Sequence, residues 1–153
     1  MNFVARNWLI GGFHVGSERV PSGIEGLDAV IEGGFRRGSL ILVAGNPGTG
    51  KTVFSAQFLY RGAVDYGENG VYVTLAEGKN AFIDYMRRFG MDFEELEKEG
   101  KVKILDMLTV KESSVPDVLN RIVEEALSLK AKRLVIDPSQ LWLKPSRRRS
   151  RRG

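Results

Sequence analysis

The eight residues from Gly45 to Thr52, GNPGTGKT, constrain this chain more than any other stretch. They match the pattern G-x-x-x-x-G-K-[ST], and their flanks have the character that the pattern requires. Before them, Ser39–Ala44 (SLILVA) is a continuous apolar run of strand length, of the kind a parallel sheet buries on both faces. After them, Lys51 to about Tyr66 reads as a helix with Phe54, Phe58, Leu59 and Ala63 on one side. Glycines let the backbone curl until successive N–H groups face inward around phosphate oxygens. The N-terminus of the following helix adds a partial positive charge. In such a loop Gly45, Asn46, Pro47, Gly48, Thr49 and Gly50 wrap the phosphates, and Lys51 brings a full charge to the β- and γ-phosphates. The Thr52 hydroxyl then ligates Mg²⁺. No N-K-x-D guanine reader occurs, so the expected ligand is ATP with Mg²⁺.

A loop of this kind needs a carboxylate for the metal or its waters, commonly at the end of another apolar strand. Leu134–Ile136 followed by Asp137, within RLVIDP, supplies one. Ligands of open α/β sheets collect at the C-terminal ends of the strands, where this acid falls.

The intervening chain alternates. Val71–Leu75 and Val102–Asp106 read as strands. A helix capped by Asn80 runs through Phe89, and a short one spans Phe93–Lys98. A third has Pro116 in its first turn and extends to about Leu129, with Val118, Ile122, Val123 and Ala126 inward. Phe82, Tyr85, Met86 and Phe89 have helical spacing and read as core. Before the loop, Pro21, Ser22 and Gly23 make a turn, and Glu25–Ile31 forms a short helix ending at Gly33 and Gly34. Alternating strands and helices predict an α/β fold: a parallel sheet in a three-layer α/β/α P-loop core. Residues 1–18 read as an irregular arm, 19–143 as the nucleotide-binding domain and 144–153 as a basic tail.

Composition narrows the function classes. There is no cysteine and one histidine, His14, which excludes disulfides, thiolate sites and a histidine-based zinc site and fits a cytoplasmic protein. No stretch is apolar and long enough to span a bilayer, and the N-terminus lacks signal-peptide character. The net charge of +4 is a property of the tail: without Lys144, Arg147, Arg148, Arg149, Arg151 and Arg152, 17 basic residues face 19 acidic ones. Such a tail is usually solvated. Nucleic acid contacted through these arginines, with Trp142 stacking on a base, is the less favoured alternative. Trp142 reads rather as an anchor onto the domain, and Trp8 stands isolated.

The stretch RVPSGIEGLDAVIEGGFRRGSLILVAGNPGTGKTVFSAQFLYRGAVDYGENGVYVTLAEG is similar to the KaiC-like ATPases of the RecA superfamily, and the likeness continues to RLVID. VPSGIEGLD…GG…G is more specific than the loop alone. The resemblance implies a RecA-like fold, ATP binding, often slow hydrolysis, and ring-shaped assembly with nucleotide between neighbours. The partner would be a second copy or a related ATPase subunit.

This chain departs from the family pattern at two places. Relatives often carry two adjacent glutamates after the second strand, the first activating water. Here Ala76 takes the first place and only Glu77 remains. Neighbouring residues of a strand point to opposite faces, so Glu77 can serve as the catalytic acid only if the backbone turns there, which Gly78 allows. The second departure is Pro138, where serine is common. Further strands should follow it, one lying between the loop strand and the Asp137 strand, but the chain instead runs into SRRRSRRG, as a truncated reading frame would. Three outcomes are then open: direct pairing of the two strands, a strand from a partner, or an incomplete domain. Two functional readings also stand, a weak Mg²⁺-dependent ATPase and a non-catalytic module whose assembly follows nucleotide.

Overall fold

In the computed structural model the described residues are 18–75, 77–107 and 115–138, together with the backbone of 2–6. Trp8, His14, Ala76, Trp142 and the arginines of the tail lie outside them. The elements in chain order are β1 (Asn2–Arg6), β2 (Arg19–Val20), α1 (Leu27–Val30), β3 (Phe35–Arg36), β4 (Leu40–Ala44), α2 (Lys51–Asp65), β5 (Gly70–Thr74), α3 (Lys79–Arg87), α4 (Phe93–Lys98), β6 (Val102–Asp106), α5 (Val115–Ser128) and β7 (Arg133–Asp137).

The core is a parallel sheet of order β6-β5-β7. Its central strand, GVYVT, is buried along its whole length, as expected where helices cover both faces. Register aligns Thr74 with Asp106 on one side and Asp137 on the other, so three polar residues end the three strands at one level. On one face, Tyr72, Ile104 and Val135 pack against Ala56, Leu59 and Ala63 of α2, Phe82 and Met86 of α3, and Phe93 of α4. On the other, Val71, Val73 and Leu105 pack against Ile122 of α5. The expected three-layer α/β/α arrangement is present.

β4 holds the largest departure from expectation. LILVA reads as a strand buried on both faces, yet it alternates between exposed and half-buried, with Leu40 at 67% and Leu42 at 59% exposure. It is not hydrogen-bonded to β7. It pairs antiparallel with β1, Asn2 opposite Ala44 and Arg6 opposite Leu40. Residues 2–6, read as part of an irregular arm, therefore form a strand. Of the three outcomes open for the gap beside β7, direct pairing with β4 is the one this structure excludes. The side of β7 away from β5 has no strand partner among the described residues. Leu134 and Ile136, on the sheet face opposite α2, are about half exposed. An apolar run reports burial on average, but which strand is central depends on pairing order, which is a long-range property.

Smaller differences have local causes. The N-cap of α3 is Gly78, not Asn80, and the carboxylate Oδ2 of Asp106 accepts the Lys79 backbone N–H at 3.0 Å. A carboxylate from a neighbouring strand thus does what a capping side chain would have done. Val123 is exposed because the sheet meets the Val118–Ile122–Ala126 side of α5. Tyr85 and Phe89 are exposed too, and stack edge-to-face on each other at 5.2 Å.

α2 is fastened to the sheet by a buried cation. The Arg133 side chain, at the start of β7, is 0% exposed and ion-pairs with Glu68 at 2.7 Å. Its other nitrogens donate to the carbonyls of Phe58 (2.8 Å) and Pro21 (2.9 Å), and the guanidinium lies 4.4 Å from the centre of the Phe58 ring. A Cβ on Gly62 would stand 2.3 Å from Arg133 Nε. Glycine in the last turn of α2, costly to the helix by itself, is thus the opening through which the guanidinium passes. The Pro21 contact, with Gln57 Nε2 donating to Gly23 O at 3.3 Å, docks the PSG turn onto α2.

Removing one partner of a buried ion pair strands the other, so Arg133→Ala should lower stability by about 3 kcal/mol in urea unfolding. Gly62→Ala should cost about 1–3 kcal/mol by overpacking. In the Arg133→Ala background the same change should become neutral or stabilising, because only the better helix propensity of alanine remains.

Candidate nucleotide-binding site

The loop leaves β4 at Gly45 and enters α2 at Lys51. Gly48 and Gly50 have φ of +80° and +84°, in the left-handed region open to glycine at no steric cost. Thr49 braces the turn: its hydroxyl donates to Asn46 O at 2.8 Å, and its N–H reaches the same oxygen at 3.3 Å. A Cβ on Gly45 would come within 2.7 Å of the Thr49 hydroxyl. The Lys51 side chain folds back across the loop, its Nζ donating to Gly45 O (2.9 Å) and Asn46 O (2.8 Å). α2 begins at Gly50 without a side-chain cap and without an acid in its first turn. A fifteen-residue helix, glycine-rich turns and an ammonium therefore meet in one exposed loop, whose positive character suits a polyanion.

The second group of polar residues gathers at the C-terminal edge of the parallel sheet. Asp137 is 8% exposed and ends β7 on the face that α2 covers. The buried Tyr72 hydroxyl donates to its Oδ2 at 2.8 Å. After Thr74 the backbone turns: the Thr74 hydroxyl donates to Glu77 O at 2.8 Å and accepts the Glu77 N–H at 3.3 Å. This is the turn that Glu77 required in order to leave the strand's alternation. Burial, and then the charge of Asp137, push the Glu77 carboxyl above the ordinary carboxylate range. Burial first, and then Asp137, hold the Tyr72 phenol protonated far above the usual tyrosine range, with a smaller push from Glu77. Glu77, Asp137 and Tyr72 therefore form one electrostatic neighbourhood.

The two groups hang from different sheets. β4 carries the loop, β7 carries Asp137, and α2 joins them by packing on β7. Among the described residues no cluster of three acidic or histidine side chains could hold a metal ion alone. The donor set suits Mg²⁺, which keeps several waters and takes few protein oxygens beside phosphate oxygens. Asp106 is occupied in capping α3.

Tyr72 and Thr74 escaped the sequence reading, although their signal was there. They alternate along GVYVT, and so share a face, but only the register with β7 shows that this face holds Asp137. Arg133 carried no such signal.

A family model described as "ATPase: KaiC" matches residues 20–151. The chain belongs to the KaiC family of ATPases. Among relatives of this KaiC-like chain, the UPF0273 protein MJ1359 of Methanocaldococcus jannaschii is 45% identical over 92 residues, covering 60% of this chain and 38% of that one. A UPF0273 protein of Thermotoga maritima is 39% identical over 137 residues, covering 78% and 55%. The circadian clock oscillator protein KaiC of Synechococcus elongatus is 44% identical over 93 residues, 61% of this chain and 18% of that protein. Among solved structures, the KaiC-like protein PH0186 of Pyrococcus horikoshii superposes with a TM-score of 0.73 at 49% identity, covering 78% of this chain and 53% of that one. The KaiC-like chain thus has the RecA-like fold that its resemblance implied, and spans about half the length, or less, of these relatives.

Because Glu77 binds its proton more tightly in the folded state than an ordinary glutamate, its charge opposes folding at neutral pH. That penalty is absent below the ordinary glutamate range, where the group is neutral folded or unfolded, and grows as pH rises through the raised folded value. Glu77→Gln should therefore stabilise the metal-free protein at pH 7. The gain should fade by about pH 4, as read from urea midpoints across that range.

Proposed function

We propose that this chain binds Mg·ATP at Gly45–Thr52 and hydrolyses it slowly. The observation that carries the reading is the loop itself: an ammonium, two left-handed glycines and a helix start without a side-chain cap lie together in one exposed turn. Backbone N–H groups of the loop and the first turn of α2 would bind the phosphates, with Lys51 exchanging its bonds to Gly45 and Asn46 for phosphate oxygens. Thr52 and Asp137 would hold Mg²⁺. The ion, when bound, would neutralise charge on the β- and γ-phosphates. Glu77 would orient the attacking water. Its raised proton affinity and its place after the Thr74 turn support that role, while Ala76 in the neighbouring position makes turnover slow.

A second reading, nucleotide-controlled assembly without turnover, draws support from the exposed apolar residues of β4 and β7. The family resemblance implies a second copy of the chain as partner. Phosphate release that exceeds background and disappears in Lys51→Ala decides for catalysis. ATP-dependent change in size with no release decides for assembly.

Lys51→Ala should weaken ATP binding at least tenfold, about 1.4 kcal/mol or more, in a direct titration. Unchanged affinity would refute the site. Asp137→Asn should leave metal-free affinity nearly intact while reducing the advantage that Mg²⁺ confers. Equal losses with and without metal would make Asp137 structural.

A further inference from the structure

Tyr72 sits in the middle of the central strand and is fully buried. Its ring stacks on Phe82 at 4.2 Å and meets Phe93 edge-on at 6.5 Å. Phenylalanine would fill this aromatic pocket equally well, so packing alone does not account for a hydroxyl. A buried hydroxyl costs free energy unless it is bonded. Here the bond goes to Oδ2 of Asp137, sixty-five positions away in sequence and on the adjacent strand. Tyr72 is in register with Val135, two residues before Asp137 on the same face, a diagonal that an aromatic side chain can span. These neighbours and full burial hold the ring, and with it the hydroxyl that it presents.

We infer that Tyr72 is a positioning residue for Asp137, holding the carboxylate in the orientation needed to engage the ion of Mg·ATP. This rests on the nucleotide reading proposed above. Tyr72 touches neither nucleotide nor metal and acts through Asp137.

The test uses the full chain and its Tyr72→Phe variant, titrated with ATP in EDTA and in saturating Mg²⁺, with thermal unfolding as the check on folding. A positioning role predicts that metal-free ATP affinity changes by less than about twofold. The Mg²⁺ advantage should fall about fivefold or more, and Tyr72→Phe should add nothing further in an Asp137→Asn background. A merely structural hydroxyl would lower the unfolding temperature and leave the Mg²⁺ advantage unchanged, which would overturn the inference. Should Tyr72→Phe fail to fold, ¹³Cζ-tyrosine labelling of the unaltered chain serves instead. The Tyr72 resonance should shift when Mg²⁺ is added to the ATP-bound protein, and a static resonance would overturn the inference. Failure of the nucleotide reading looks different: the unaltered chain would bind no ATP with or without metal, and the inference would fall with it.

Discussion

The buried guanidinium of Arg133 is the interaction on which the rest of this structure depends. It joins four stretches of chain through one side chain: the start of β7, the middle of α2, the turn after α2 through Glu68, and the PSG turn through Pro21. A cation so placed tolerates little movement, because any displacement strands a charge in a low-dielectric interior. Three consequences follow. Gly62 must lack a side chain, β7 must present positions 133, 135 and 137 to α2, and α2 must lie at a set height along β7. The last of these matters most for the site, since α2 begins at Lys51 and β7 ends at Asp137.

That coupling replaces the one usually provided by a sheet. β4 and β7 are not hydrogen-bonded to each other, so no ladder aligns the glycine-rich loop with the acid. Alignment comes through the packing of α2 on β5 and β7 and through the arginine clasp. Helix packing is less stringent than strand register, because it rests on many weak contacts rather than on directional bonds. The exposed Leu40, Leu42, Leu134 and Ile136 lie along two strands that share no neighbour among the described residues.

At the sheet edge the local balance runs against stability. Burial, and then the charge of Asp137, raise the proton affinity of the Glu77 carboxyl. A phenol is buried beside them, satisfied by one of those carboxylates. Natural sequences place such costs where chemistry needs them. The loop shows a milder form, with Lys51 resting on two carbonyls that a phosphate could replace.

Much of this was legible in the residues. Gly45–Thr52 announced a turn between strand and helix, because glycine at positive φ and a lysine at a helix start are local requirements with local signatures. α4 occupies the span predicted for it, and α5 lies within a residue of its expected ends, since Pro116 and the apolar spacing act within a few residues. The acid of RLVID was likewise visible as a strand end. Strand order, by contrast, needed the tertiary structure: LILVA and GVYVT are both apolar runs, and only pairing decides that the second is central and the first partners Asn2–Arg6. The same holds for the bond from Tyr72 to Asp137, for the turn that brings Glu77 beside them, and for the arginine threaded past Gly62. Sequence alone determined where the glycine-rich loop, the helices and the acid would be, because each follows from short-range sterics and periodicity. Which of these elements meet was decided by register and by buried charge, whose partners lie tens of residues apart and leave no local trace.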